Sequence, residues 1–315
     1  MVSGKQPGVS TSALLSMVKA ASTLLVPACT TAPCVAKSIL LRTALPSPTN
    51  HDDLFKIVTP YHWQVWESML ADAGVLDCFA DIPFGIHFGW HLGVPDSYCL
   101  TSCFLPPNHC LAIDHTDFIL DYVQAEIKEG RYSGPFDPEF LEHHIGPFCS
   151  SPLGVIPKPD SSKFCLIQDH TFPRRDSAIS FINSLIDTSF MEVEWGTFSD
   201  CWLLVTCAPP GAQCAVFDIE AAHCRSSLAP EDQHLVCVKT DFNGTTEIFV
   251  DHCASFGGAS SSFLFEHPAS GIVAIYHFKD INDLTHWSDD FIFLHYPCVC
   301  LSSHYHCLRD LIPEF

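Results

Sequence analysis

The amino-acid sequence predicts an α+β fold, and three observations support that prediction. Two stretches before residue 130 place apolar residues at helical spacing, which indicates amphipathic helices. From Ser151 onward the chain changes to short apolar and β-branched runs separated by turn residues, a pattern typical of strands. One longer apolar stretch near Ser261 to Phe278 predicts a further helix. Helices and strands that are segregated along a chain in this way favour an α+β architecture.

Residues 1–50 are rich in Ser, Thr, Ala and Pro and show little periodicity, so we expect a flexible N-terminal arm. The stretch ALLSMVKAASTLLVPAC within it is interrupted by Lys19 and is too polar for a membrane span, although a secretory signal peptide is a competing interpretation. The 17 Cys are scattered through a chain much longer than disulfide-stapled secreted domains. They predict reduced thiols in an intracellular protein, nuclear or cytoplasmic. We expect no membrane contact, because no run is long and apolar enough to span a bilayer.

Residues 51–148 are predicted to form a helical, loop-rich N-terminal extension. Thr59 and Pro60 suit an N-cap and a first helical position, and an apolar helical face follows them. Asp114 is predicted to cap a second helix that continues to Gly130. The segment between the two helices, DIPFGIHFGWHLGVPDSYCLTSCFLPPNHC, is dense in Gly, Pro and aromatic residues and therefore predicts turns and short strands.

The segment SPLGVIPKPDSSKFCLIQD predicts a hairpin of two strands, at 153–156 and 163–167, joined by a polar turn. This hairpin presents Lys158 and Lys163 near its tip, where mobile ammonium groups can contact a triphosphate. An ordinary solvated turn is the alternative explanation for the same residues.

Two later segments supply carboxylates. CAVFDIEAAH delivers Asp218 at the end of an apolar run, a position from which a carboxylate can bind a hard cation. HWSDDFIFLHY sets Asp289 beside Asp290 between two β-compatible runs, which predicts a hairpin turn. Adjacent carboxylates repel each other unless a cation such as Mg²⁺, bound jointly with Asp218, offsets the repulsion. Exposure to water, where the repulsion is weak, is the alternative.

Between the acidic segments, SFGGASSSFLFEH places Phe256 and Gly257 ahead of a small-residue turn that leads into the predicted helix. A Gly-rich turn lets the backbone approach a base pair closely. The chain therefore presents, in order, a lysine hairpin, a strand-end Asp, a Phe-Gly turn followed by a helix, and an Asp-Asp hairpin.

This order resembles the fingers and palm of reverse transcriptases, especially those of fungal-type retroelements, through the stretches SPLGVIPK, FDIEAAH, FGGASSS and WSDDF. The resemblance is strongest from Ser151 to Tyr296, and VLDCFADIPFGIHFGW and LPPNH extend it back to about Val75. It implies a right-hand fold with an antiparallel palm sheet, with fingers and palm at 149–297 and a C-terminal tail at 298–315.

The resemblance also implies a reaction, nucleotidyl transfer by an RNA-directed DNA polymerase. Asp218 and Asp289 would hold two Mg²⁺ or Mn²⁺ ions, and Asp290 would support them. The implied partners are an RNA or DNA template-primer and a deoxynucleotide.

Substrate contacts are implied for the other matching residues. Lys158, with Lys163 near it, would contact the incoming triphosphate. His223 would exclude a ribose 2′-hydroxyl by its bulk, and Phe256 with Gly257 would support the template and the nascent base pair.

Several features depart from the family pattern. Cys165 occupies the position of an Arg that makes bidentate contacts to the triphosphate, and Cys cannot replace it. Pro268 and Gly271 fall in the predicted helix, where they would cost about 3 and about 1 kcal/mol, so we expect that helix to be kinked or weakened. Only 25 residues (315 − 290) follow Asp290. They are too few for a thumb, which a partner could supply.

Composition limits nucleic-acid binding. The formal net charge is −21, because 15 Lys and Arg face 36 Asp and Glu. Phosphate backbones are held largely by Lys and Arg, so any such contact must be local. A group of carboxylates nevertheless suits a divalent cation. Together with the departures above, this balance predicts weak or absent polymerase activity.

A noncatalytic palm-fold protein that binds protein or RNA partners is the alternative function. An aspartic protease is suggested only by IDTS at 186–189, which lacks the Gly expected after the Asp-Thr pair, and a Ser-His-Asp hydrolase has no G-x-S-x-G elbow. The tail could hold a soft metal ion, although its spacings fit no zinc template, through Cys298, Cys300, His304, His306 and Cys307.

Overall fold

The computed structural model describes residues 54–158, 163–174, 180–189, 191–209, 211–242 and 244–295, which all belong to one compact unit. This part of the chain is a mixed α+β fold with small antiparallel sheets, so the predicted fold class is confirmed. None of its helices is both long enough and apolar enough to cross a membrane.

The elements alternate irregularly along the chain. The helices are α1 (Trp63–Asp72), α2 (Leu76–Phe79), α3 (Asp81–Phe88), α4 (Cys110–Asp114), α5 (Thr116–Lys128), α6 (Pro138–Ile145), α7 (Ile182–Leu185), α8 (Phe198–Cys207) and α9 (Ser261–Phe278). The strands are β1 (Tyr132–Phe136), β2 (Leu153–Pro157), β3 (Phe164–Gln168), β4 (Gln213–Asp218), β5 (Val238–Phe242), β6 (Thr245–Asp251), β7 (Leu284–Trp287) and β8 (Asp290–His295). Within the described ranges they pair antiparallel in three sheets, β1-β6-β5, β2-β3 and β4-β8-β7.

The sheet β4-β8-β7 packs one face against α9. Successive side chains of a strand point to opposite faces, so Phe291 and Phe293 of β8 are buried while Asp290 is exposed. The ring of Tyr276 on α9 meets the ring of Phe293 edge-on, with centroids 5.1 Å apart. This packing fixes the orientation of the sheet and leaves its acidic end open to solvent.

The sheet β1-β6-β5 joins residues on both sides of the boundary predicted near residue 148. Tyr132 of β1 pairs with Asp251 of β6, so a strand from the predicted N-terminal extension completes a sheet of the following region.

Helix α9 has the bounds that the sequence predicts, and it continues without a break past Pro268. A proline cannot donate to the carbonyl four residues earlier, which here belongs to Leu264. The buried Ser226 hydroxyl donates to that Leu264 oxygen instead, at 3.1 Å. Gly271 allows close packing, because a Cβ there would lie 2.8 Å from the Ile82 side chain. Tertiary contacts therefore offset the helix-breaking residues, and the helix is continuous from Ser261 to Phe278.

Replacing Ser226 by Ala is expected to lower the free energy of unfolding by about 1 to 3 kcal/mol, because the Leu264 carbonyl loses its buried donor. In a Pro268→Ala background the helix regains its own donor at that position, so the same replacement should cost clearly less. Urea denaturation of the wild type, both single variants and the double variant measures this coupling. Equal costs in the two backgrounds would show that Ser226 does not compensate for Pro268.

Three predictions in the N-terminal extension are wrong. Helix α1 begins at Trp63 rather than beside Thr59. The Thr59 hydroxyl donates to the Arg225 carbonyl oxygen at 2.8 Å and accepts from the Tyr61 N–H at 3.2 Å, so it anchors the segment before the helix. Asp114 ends the short helix α4, and the next helix, α5, begins at Thr116.

The segment DIPFGIHF forms helix α3 instead of turns and short strands. Its proline, Pro83, lies in the first turn, where a backbone N–H has no helical acceptor. Ile82 and Ile86 are four residues apart and both buried. Gly85 lets Trp90 pack against the helix, since a Cβ there would lie 2.4 Å from the indole ring. Burial on one face thus overrides the local turn composition.

Candidate metal and nucleotide site

Strands β4 and β8 bring Asp218 and Asp290 together as register partners. The neighbouring residues, Ile219 and Asp289, are joined by a hydrogen bond that the Ile219 N–H donates to the Asp289 carbonyl oxygen at 2.9 Å. The pair beside a hydrogen-bonded pair is the closely spaced kind, with Cα atoms about 4.5 Å apart and side chains on one face. Two exposed carboxylates that are distant in the chain therefore lie side by side.

The predicted hairpin is confirmed, with Asp289 in the tight turn between β7 and β8, but Asp290 is the first residue of β8 and not part of the turn. Trp287 pairs with Asp290 across this turn, and Ser288 adopts a left-handed conformation with φ of 53°. The pKa of His223 is lowered by burial, and the negative charge of Asp289 acts in the opposite direction. Asp289 is thus within electrostatic range of His223.

His223 and Phe256 form the next contact. Their rings meet edge-on with centroids 4.8 Å apart, although the residues belong to different segments. His223 lies in a 3-10 turn just after β4, and the Phe256 side chain is 58% exposed. The segments FDIEAAH and FGGASSS, which contain residues predicted to bind substrate, are therefore adjacent in the fold.

The Phe256–Gly257 turn is held by residues that sequence reasoning missed. The Gln168 N–H donates to the Phe256 carbonyl oxygen at 3.2 Å. The Asn183 amide donates to the Gly257 carbonyl oxygen at 2.8 Å and accepts from the Ala259 N–H at 2.8 Å. These contacts join segments far apart in the chain, so no local sequence signal indicates them.

The lysine hairpin is confirmed. Strand β2 ends one residue later than predicted, and β3 begins and ends one residue later. β2 and β3 pair in register from Leu153 opposite Gln168, and the Lys158 N–H donates to the Lys163 carbonyl oxygen at 2.8 Å. Both lysines are exposed. The turn at 159–162 lies outside the described residues. Cys165 lies in β3, where its thiol donates to the Leu166 carbonyl oxygen at 3.8 Å. A thiol carries no positive charge, so Cys165 cannot pair with a phosphate as an Arg would.

The donor atoms of the acidic site suit Mg²⁺. Across the described part of the chain, no group of three or more His, Cys, Asp or Glu side chains is arranged to hold a metal ion. Mg²⁺ in phosphoryl-transfer sites is bound by one or two carboxylates together with water and substrate phosphates. The facing pair Asp218 and Asp290, with Asp289 beside it, meets that requirement. The cysteine- and histidine-rich tail lies outside the described residues.

The IDTS motif at 186–189, which suggested an aspartic protease, has a local role. The exposed Asp187 carboxylate accepts a hydrogen bond from the Ser189 N–H at 3.0 Å, and hydrogen bonding to Ser189 lowers the pKa of Asp187. This contact stabilises a turn.

A buried polar network connects β3, which carries Gln168, with the end of β6 at Asp251. Asp251, fully enclosed at the end of β6, accepts from the Gln168 amide at 2.8 Å and from the Cys253 N–H at 3.0 Å. Burial raises the pKa of Asp251 from 3.8 to about 7 despite these hydrogen bonds. The Gln168 side chain therefore links the lysine hairpin to the sheet β1-β6-β5 through the carboxyl group of Asp251.

Replacing Asp251 by Asn is expected to remove one pH-dependent contribution to stability. A carboxyl pKa that is raised in the folded state contributes stability below its unfolded value of 3.8, and that contribution is lost as pH rises to about 7. The variant should therefore gain stability relative to wild type as pH rises from 4 to 7.

The measurement is urea denaturation of both proteins across that pH range. Burial lowers the pKa of His170 and of His252 to about 4, and these groups act in the opposite direction. Both are present in the two proteins, so the difference in unfolding free energy isolates Asp251. A difference that does not change with pH would contradict the prediction.

Comparison with known proteins does not assign the chain to a family. No protein-family model matches it, and no curated protein matches it significantly.

Proposed function

We propose that residues 149–297 form the fingers and palm of a retroelement-type reverse-transcriptase domain, an RNA-directed DNA polymerase of weak activity. The observation that carries this proposal is the register pairing of Asp218 with Asp290, next to the turn that holds Asp289. Motif order supports the resemblance, and the pairing of Asp218 with Asp290 across two strands adds a feature that chance motif matches do not require.

In this proposal the chain's own residues bind and orient the substrates. Asp218, Asp289 and Asp290 hold Mg²⁺ or Mn²⁺, which when bound would lower the pKa of a primer 3′-hydroxyl and neutralise the triphosphate. His223, packed edge-on against Phe256, forms a wall beside the incoming sugar. The exposed lysines of the hairpin contact the triphosphate, and a template-primer with a deoxynucleotide is the substrate.

Two features support weak rather than efficient catalysis. The thiol of Cys165 stands where a bidentate guanidinium is expected, so triphosphate binding depends on the lysines. The net charge of −21 opposes a long nucleic-acid duplex, because few cations are available to replace its counterions.

Mg²⁺ binding tests the proposal independently of turnover. Wild-type protein should be stabilised by Mg²⁺, by about 2.7 kcal/mol at a hundredfold excess over the dissociation constant, and Asp218→Asn should lose this effect. Without Mg²⁺, Asp290→Asn should be more stable than wild type by about 0.2 to 1 kcal/mol, because facing like charges destabilise a sheet. Thermal unfolding with Mg²⁺ and with EDTA measures both effects.

Asp72→Asn is the matched control, since it removes an exposed carboxylate from helix α1. Equal Mg²⁺ stabilisation of wild type, Asp218→Asn and the control would place the ion elsewhere, and the polymerase proposal would fail.

A noncatalytic interaction protein is the second candidate, and helix α8 is the observation that favours it. The helix buries none of its side chains, and Phe198 and Trp202 are 79% and 59% exposed. Exposed apolar patches of this kind mark interaction sites. No Lys, Arg or His occurs between Ser180 and Ala222 in the sequence, so this surface suits a partner with apolar and basic residues.

The two candidates differ in their dependence on Asp218. If RNA/DNA hybrid binding is unchanged by Asp218→Ala and primer extension is absent, the interaction protein is favoured. Loss of hybrid binding together with Mg²⁺ binding in this variant would favour the polymerase.

A further inference from the structure

A cavity of about 270 Å³ lies on the inner face of the sheet β4-β8-β7. It is bounded by aromatic and aliphatic side chains of the sheet, of α9 and of the segment before α1, which are Phe217, Phe291, Phe293, Ile272, Tyr276 and Tyr61. All but Phe217 are buried. The wall is thus preformed and apolar, as small-molecule sites commonly are, and its volume lies just below the roughly 300–1,000 Å³ typical of such sites.

One cation stands at the polar end of this cavity. The Arg225 Nε donates to the Glu220 carbonyl oxygen at 2.7 Å, which fixes the guanidinium plane. Among the described residues, its Nη1 and Nη2 atoms make no hydrogen bond and no ion pair. The Arg225 charge also lowers the pKa of Tyr61, in opposition to the burial that raises it to about 12. The guanidinium therefore acts on the same space that the Tyr61 ring encloses.

The remaining polar groups at the cavity decide the charge of a ligand. Asp218 and Glu220 also line it, and both are exposed, so their repulsion of an anion is screened by water and salt. A multiply charged anion would still be repelled by two carboxylates. A single negative charge can pair with Nη1 and Nη2, since a guanidinium binds a carboxylate through two parallel hydrogen bonds.

We propose that this cavity binds a small organic monocarboxylate with an apolar body, whose carboxylate pairs with Arg225. The apolar body lies against Ile272 of α9 and the phenyl rings of the sheet. This site needs no nucleic acid and no metal ion, so it stands whether or not the chain is a polymerase.

The test compares two probes of equal size, 2-naphthoate and 2-naphthalenemethanol, by isothermal titration calorimetry with EDTA present. Wild-type protein should bind the carboxylate about tenfold or more tightly than the alcohol, because only the carboxylate makes charge-assisted hydrogen bonds to Arg225. Arg225→Met should abolish this preference while retaining binding of the alcohol. Ile272→Phe and Ile272→Trp should weaken both probes progressively, because they fill the cavity.

Trp202→Ser is the control for binding to the exposed face of α8, and it should leave both affinities unchanged. Equal affinity of the two probes for wild type would overturn the proposal, and this comparison requires no variant to fold. Two further results would place the ligand elsewhere and overturn the proposal as well. One is tight carboxylate binding by an Ile272→Phe variant with a native near-ultraviolet spectrum, and the other is loss of carboxylate binding in Trp202→Ser.

Discussion

Asp289→Asn is expected to lower Mg²⁺-dependent primer extension by roughly 100-fold or more. A bound divalent ion contributes several kcal/mol of charge stabilisation in nucleotidyl transfer, and about 1.4 kcal/mol corresponds to a tenfold change in rate. The negative charge of Asp289 acts on His223, which is proposed to lie beside the incoming sugar. Its replacement should therefore affect the reacting phosphate more than it affects the fold.

Primer extension with Mg²⁺ or Mn²⁺ on an RNA template measures this effect, with short primers and single-nucleotide addition as the readout because long products are not expected. Asp72→Asn serves again as the control, and it should retain the wild-type rate. Equal signals from wild type and Asp289→Asn would exclude catalysis at this site. The Mg²⁺ stabilisation experiment would then show whether the carboxylates still bind an ion without turnover.

Gly257→Ala is expected to destabilise the protein by about 3 kcal/mol or more. Gly257 has φ of +110°, a conformation that costs a residue with a side chain about 1 to 3 kcal/mol. An added Cβ would also lie 2.1 Å from the Gln168 carbonyl oxygen, so the turn must move away from β3. That movement would break the hydrogen bond from the Gln168 N–H to Phe256 and separate the Phe-Gly turn from the lysine hairpin.

Gly146→Ala separates the cost of backbone strain from the cost of contact with Gln168. Gly146 also has a positive φ, of +78°, but nothing lies within 4 Å of an added Cβ. It should therefore cost only about 1 to 3 kcal/mol, from backbone strain alone. Urea denaturation gives both free energies of unfolding. The fluorescence of a labelled RNA/DNA hybrid, titrated with protein, reports whether Gly257→Ala also weakens hybrid binding. Equal costs at the two positions would show that contact with Gln168 is unimportant.

Local pattern explains which elements could be predicted. Helix α9 has an apolar run long enough to specify a helix by itself, and both hairpins place turn residues between β-compatible runs. Helix α3 was missed because its Gly and Pro suit turns when read locally. Those residues serve packing, since Gly85 makes room for the Trp90 ring and Pro83 occupies the first helical turn.

The supporting contacts of the candidate site could not be predicted for a different reason. Ser226 replaces the donor that Pro268 lacks, and Gln168 holds the Phe256 turn, but each pair is separated by tens of residues. A single sequence carries no information on which hydroxyl or amide reaches a distant carbonyl oxygen. The cavity beside Arg225 is likewise formed by β4, β8, α9 and the segment before α1, which meet only after folding.

The sequence by itself determined the α+β class, the lysine hairpin, the long helix and the Asp-Asp turn, because each depends on interactions between residues close in the chain. Tertiary structure alone decided that Asp218 faces Asp290, since strand register is chosen by burying Phe291 and Phe293 against α9. The same register places both carboxylates on the solvent face, where like charges repel and a cation can bind them.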